Sequence, residues 1–146
     1  MNIIVWIVFF KNNLEILSKS LDMLFKQQFT GKKEIIILDN DNGNQINDIQ
    51  SIIKDNNVTF IKSNNIGFGA GHNKIFSYAN NKIFDYYLAV NPDGVPHYKM
   101  LDNLIKFTKR VARAIGGLYN IFGFDWFNKN NRDPKIRSQN IIWWKE

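Results

Sequence analysis

The apolar positions along this chain alternate between unbroken runs and helical spacing. Ile3 to Phe10 is a continuous apolar run rich in β-branched and aromatic residues. Such a run predicts a strand covered on both faces, as in a parallel sheet. Asn12-Asn13 interrupts it and offers a helix cap. Leu14, Leu17, Leu21, Leu24 and Phe25 then recur at helical spacing, predicting an amphipathic helix to about Gln28. Thr30-Gly31 ends that helix, and Glu34 to Leu38 predicts a second buried strand. Asp39-Asn40-Asp41-Asn42-Gly43 is a polar turn directly after it. Ile46, Ile49, Ile52 and Ile53 mark a second helix, and Val58 to Ile61 a short third strand. A glycine-punctuated loop, Asn64 to Asn73, leads into a third helix beginning near Gly71. A fourth strand, Tyr86 to Val90, stops at Asn91-Pro92-Asp93.

This alternation predicts an α/β three-layer sandwich with a mainly parallel central sheet and right-handed crossovers. In such sheets ligands bind outside the carboxyl ends of the strands. Those ends are Lys11-Asn12, Asp39-Asn40, Ser63-Asn64 and Asn91-Pro92-Asp93, so the polar clusters with chemical potential converge on one edge.

Beyond Asp93, Pro96 and His97 lead into another helix with Leu101, Leu104, Ile105 and Thr108 inward. Lys106, Lys109, Arg110 and Arg113 would form a basic stripe, which reads as contact with anionic lipid or nucleic acid, or as a solvated helix face. The solvated face is the favoured reading. Gly116-Gly117 breaks the helical pattern. The tail is aromatic, with Phe122, Phe124, Trp126, Phe127, Trp143 and Trp144, which suits core packing first and a membrane-surface or homo-oligomer contact second.

Composition narrows the chemistry. A chain of 146 residues with 45% apolar and 22% charged positions fits one domain, 1–146. The absence of cysteine excludes disulfides, thiolate nucleophiles and cysteine-based zinc sites. Two histidines, His72 and His97, argue against a multi-histidine metal site. A net charge of +6 favours anionic partners. Met1 to Phe10 lacks the basic flank and cleavage site of a signal peptide and is too short to span a bilayer. A buried strand and a cytoplasmic location are therefore expected.

The glycine loop matches neither a dinucleotide fingerprint nor a P-loop. G-x-G-x-x-G begun at Gly67 meets His72, and begun at Gly69 meets Lys74. Gly67, Gly69 and Gly71 would allow close backbone approach beside a helix start that favours phosphate; a structural turn capped by His72 or Asn73 is an equal reading. Asp39 would accept hydrogen bonds from a ribose or base, or close an Asx turn. Asp93, supported by Asn91, would hold Mg2+ or Mn2+ bridging a diphosphate, or belong to an ordinary Asn-Pro-Asp-Gly turn.

Taken together, Asn65-x-Gly67-Phe68-Gly69-x-Gly71-x-Asn73 and Tyr87-Leu88-x-x-Asn91-Pro92-Asp93 resemble family 2 glycosyltransferases with the GT-A (Rossmann-like) fold, in particular the rhamnosyltransferase-like subgroup of bacterial surface-polysaccharide synthesis. Val8 to Leu17 and Ile37 to Asn40 are similar to the family's opening strand and helix and its second strand. The resemblance covers roughly Ile3 to Phe107 and implies a metal-dependent, inverting transferase. The donor would be a nucleoside-diphosphate sugar such as dTDP-rhamnose, and the acceptor a glycan or lipid-linked acceptor at the inner face of the membrane. It implies that Phe10, Asn12, Asp39, Asn65, Gly67, Phe68, Gly71, Asn73 and Asn91 bind the donor, with Asp93 as the metal-facing acid. Gly123-Phe124-Asp125 faintly resembles the segment before the family's catalytic base, which would make Asp133 that base. Arg132 and Pro134-Lys135 depart from the family pattern there. The acceptor portion is expected to be abbreviated after about residue 110. The alternative is a catalytically incomplete nucleotide-sugar-binding or partner-binding module. A nucleic-acid partner has no base-stacking motif to support it.

Overall fold

The computed structural model describes residues 1–53, 57–122 and 141–143. Five strands form one sheet in the order β3-β2-β1-β4-β5, with all four pairings parallel. The strands are β1 (Asn2–Phe9), β2 (Lys32–Asp39), β3 (Val58–Lys62), β4 (Tyr86–Ala89) and β5 (Ile141–Trp143). The helices are α1 (Leu14–Phe25), α2 (Ile46–Ile52), α3 (Phe68–Ala79) and α4 (Met100–Phe122). The architecture is the expected α/β sandwich, and the described helices flank both faces of the sheet.

β1 lies at the centre because its side chains are apolar on both faces. Ile3, Val5, Ile7 and Phe9 face a core built with Leu17, Leu21 and Leu24 of α1, Ile49 of α2, and Leu101 and Ile105 of α4. Ile4, Trp6 and Val8 face the opposite core, with Ile75 and Ala79 of α3 and Tyr87 and Ala89 of β4. Each fully buried leucine on α1 contributes roughly 1.5–3 kcal/mol of apolar burial. Asn13 caps α1, its side-chain oxygen accepting from the backbone N–H groups of Glu15 at 2.8 Å and Ile16 at 3.3 Å.

Two local expectations are corrected, and one strand is added. α1 stops at Phe25 rather than Gln28, because Gln27 and Gln28 bridge to the segment before α4. Gln27 is buried; its amide donates to the carbonyl oxygens of Met23 at 3.0 Å and His97 at 2.8 Å, and its oxygen accepts from Leu101 N. Gln28 N donates to Tyr98 O. α4 runs through Gly116-Gly117 to Phe122; a helical glycine costs about 1 kcal/mol without forbidding the conformation. Finally, Ile141–Trp143 is a fifth strand, paired with β4 from Tyr87 to Ala89. It covers an edge that β4 would otherwise present. Among the described residues no helix is long and apolar enough to cross a membrane.

Part of the basic stripe lies among the described side chains. Lys106, Lys109 and Arg110 are exposed, and Lys106 pairs along its own helix with Asp102 at 2.6 Å.

Candidate active site

The strand order locates the site before any side chain is considered. From β1 the chain builds outward through β2 to β3, then returns to place β4 on the other side of β1. The connections at the carboxyl ends of β1 and β4 therefore diverge, and a crevice opens between them, as at the switch point of open parallel sheets. A cleft of about 360 Å³ lies there. Val8, Phe10 and Asn12 line it from the β1 side, and Asn91, Pro92 and Asp93 from the β4 side. Asn40, Asn65 and Phe68 complete it from beyond β2 and the start of α3.

Of the sequence-predicted site residues, Phe10, Asn12, Asn65, Phe68, Asn91 and Asp93 meet on this wall. Asn12 folds back so that its side-chain oxygen accepts from Phe10 N at 3.0 Å, fixing the turn after β1. Lys11, between them, has φ of 51°, a left-handed conformation that a lysine adopts at some cost. Asn91 and Asp93 stand on a turn closed by Gly94 N donating to Asn91 O at 3.1 Å. Pro92 and Gly94 are buried and Asp93 is exposed, so packing anchors the turn and leaves the carboxylate on the surface.

Asp39, Gly67, Gly71 and Asn73 are absent from the cleft wall. Asp39 is fully buried; its two carboxylate oxygens accept from Asp41 N at 2.8 Å and Gln45 N at 3.1 Å. It closes the β2–α2 turn, the Asx-turn reading of its position. α3 begins at Phe68, with Gly67 as its cap residue, rather than near Gly71. Gly67 has φ of 81°, where glycine carries no Cβ strain. Gly71 is instead a packing residue inside the helix: a Cβ there would stand 2.9 Å from Cγ1 of Val8. Asn73 is exposed farther along the same helix. Asp133, the candidate base, lies outside the described residues, as do Phe124, Trp126, Phe127 and Trp144 of the aromatic tail.

Sequence reasoning passed over Asn40. This buried side chain donates to Asn65 Oδ1 and Gly67 O, both at 3.4 Å, and accepts from Ile66 N at 3.2 Å. It ties the glycine loop to the end of β2. The available signal was an amide residue immediately after a buried strand, where backbone groups of the next loop need partners. Gln27 has the corresponding role below the β4–α4 segment, and its place at the end of an amphipathic helix gave no such signal.

Below the glycine loop, buried His72 accepts at Nδ1 from the Trp6 indole N–H at 2.9 Å. An indole N–H only donates, so Nδ1 must be unprotonated. Phe68 packs edge-on against the same ring with centroids 4.3 Å apart, linking the cleft wall to the core. Burial pushes the imidazole down from its usual pKa of 6.5. Above pH 6.5 the ring is neutral in folded and unfolded chains alike. As pH falls below 6.5 the unfolded chain takes up the proton first, so stability declines until the lower folded-state pKa is passed. The thermal midpoint is expected to drop between pH 7 and pH 5, and to drop less in His72→Phe; equal drops would refute the assignment.

The oxygen donors at the cleft suit a hard divalent cation. Asp93 supplies a carboxylate and Asn91 an amide oxygen, and Mg2+ and Mn2+ commonly bind one or two such groups while sharing substrate phosphates. Among the described residues no group of three or more His, Cys, Asp or Glu side chains makes a self-sufficient metal cage. Asn91 and Asp93 would therefore need further oxygen ligands to hold such a cation.

Comparison with solved structures shows that this parallel α/β sandwich has the GT-A fold. S. aureus TarS residues 1–349 superposes with a TM-score of 0.60 at 19% identity, covering 75% of this chain and 33% of TarS 1–349. The same fragment in complex with UDP gives 0.57 at 19% identity, with 75% and 32% covered. The chain thus spans about a third of the length of these neighbours, and the likeness establishes the fold. No curated protein sequence matches the chain. The family model for glycosyl transferase family 2 matches residues 5–146. The chain belongs to glycosyl transferase family 2.

Proposed function

We propose that this protein transfers a sugar from a nucleoside-diphosphate sugar to a glycan or lipid-linked acceptor, with inversion and with a divalent cation. The observation that carries this reading is the meeting of Asp93 and Asn91 with Phe10, Asn12, Asn65 and Phe68 on one cleft at the switch point. Family membership and a UDP complex among the structural neighbours support it.

The cleft offers aromatic faces for a base or sugar ring, amides for hydroxyl groups, and a carboxylate for the cation. In the transfer, the acceptor oxygen attacks the anomeric carbon from the face opposite the leaving group. The bond from that carbon to the diphosphate oxygen breaks, and its electron pair leaves with the diphosphate. The hydroxyl proton passes to a general base, for which Asp133 is the proposed residue. Bound Mg2+ or Mn2+ would neutralise the charge growing on the diphosphate. Asn91 and Asp93 would hold that cation at the β4 side of the cleft. The proposed donor is dTDP-rhamnose or a related dTDP- or UDP-sugar.

Titration with dTDP- and UDP-sugars, with and without Mn2+, tests the reading. Metal-enhanced binding together with sugar transfer or slow donor hydrolysis is expected. Binding without turnover would identify a nucleotide-sugar-binding module, and absence of metal-enhanced binding would remove the proposed site.

A further inference from the structure

The wall of the cleft presents a problem for a diphosphate ligand. Among its described residues the charged side chain is Asp93, an acid, and there is no lysine or arginine. A cation shared with Asp93 compensates charge on the β4 side, which leaves the β1 side with amides and rings. Just outside that side stands Lys11. Its ammonium is 3.9 Å from an Asp41 carboxylate oxygen and 5.4 Å from the centroid of the Phe10 ring, and Phe10 is itself part of the wall. The Lys11 side chain is 65% exposed, so the pair with Asp41 is weak and solvent-screened.

The backbone at Lys11 carries the second observation. Lys11 and Asn42 are the positive-φ residues other than glycine among the described residues. Lys11 occupies that conformation between two residues that line the cleft, Phe10 and Asn12, in the turn closed by the Asn12 side chain on Phe10 N. A lysine is a poor choice for this backbone. Glycine would fit without strain, and asparagine with little.

We propose that Lys11 is a positioning and specificity residue for the phosphorylated part of the ligand. Its ammonium exchanges the Asp41 carboxylate for the diphosphate, so that Lys11 and the Asp93-held cation grip that group from opposite sides of the cleft. Asp41 parks the lysine in the ligand-free protein. The inference rests on the donor-site reading above and names the group that recognises the donor's charge.

The test compares UDP and dTDP with uridine and thymidine by calorimetric titration at fixed Mg2+, on the full chain. Lys11→Gly removes the ammonium and suits the backbone, so the fold survives; the thermal midpoint checks this. In Lys11→Gly the diphosphates are expected to bind about tenfold more weakly, with nucleoside affinity unchanged. Lys11→Arg should retain most of the diphosphate affinity, and Asp41→Asn, which frees the lysine, should raise it. Unchanged diphosphate binding in Lys11→Gly would overturn the inference while leaving the donor site intact. Equal losses for diphosphate and nucleoside would also overturn it, because they would show that Lys11 only shapes the turn. If the unsubstituted protein binds none of the four probes, both the donor site and this role fall.

Discussion

On the proposed function, alanine at position 93 is expected to lower sugar transfer by at least about a hundredfold while leaving the fold intact. The reasoning starts from the turn. Pro92 and Gly94 are buried and Asp93 is exposed, and the turn closes through backbone groups of Asn91 and Gly94. Truncating the Asp93 side chain therefore removes neither packing nor the closing bond, and stability should change by less than about 0.5 kcal/mol. Function should respond very differently. Asp93 is the charged side chain on the described cleft wall, and its carboxylate is the strongest ligand there for a hard cation. Asp93→Asn should lose nearly as much as alanine, since shape without charge cannot replace a carboxylate ligand. The measurement is the transfer or donor-hydrolysis rate across a Mn2+ titration, with unfolding followed in parallel. A variant retaining both its rate and its Mn2+ dependence would show that the cation binds elsewhere or is not used.

The fold was legible where burial dictates residue type over several consecutive positions. β1 could be read because a central strand must be apolar on both faces, and Ile3 to Phe9 are buried without exception. The edge that bears the site could be read because four polar clusters each follow an apolar strand. What could not be read was the direction in which individual polar groups turn. Asp39 ends β2 and Asp93 stands on the turn after β4, and nothing in their neighbours reveals that one faces two backbone N–H groups while the other lines a cleft. Asn40 and Gln27 each bridge segments distant in sequence, at separations of 25 and 74 residues. Such partners become visible only once the sheet brings the segments together. The path of α4 through Gly116-Gly117 was likewise hidden, because propensity is a weak prior against continuation of a helix.

The glycines of the loop give the sharpest separation between local sequence and tertiary placement. Gly69 and Gly71 are two residues apart in the first turns of α3, yet alanine is expected to have opposite effects at the two sites. Around Gly69, apart from its chain neighbours and the backbone of its own helix, there is no atom within 4 Å of an added Cβ. Gly69→Ala should stabilise the protein by about 0.5 kcal/mol, because alanine restricts the unfolded chain and favours the helix. At Gly71 the added Cβ would stand 2.9 Å and 3.3 Å from the two γ-methyl groups of Val8 and 3.7 Å from Leu38 Cδ2. Val8 is β-branched and buried in the central strand, so it has little freedom to withdraw. The helix must move off the sheet instead, which costs about 1–3 kcal/mol and exceeds the helical gain of about 0.5 kcal/mol. Gly71→Leu should lose about 2–3 kcal/mol net, the largest stability effect among these variants. That displacement would reach the cleft, because Phe68 stands three residues before Gly71 on the same helix and Val8 lines the same wall. Gly71→Leu should therefore also weaken sugar-nucleotide binding, whereas Gly69→Ala should leave it unchanged. Denaturant unfolding of the two alanine variants decides the point: equal shifts in the same direction would mean that α3 does not press on Val8 through Gly71.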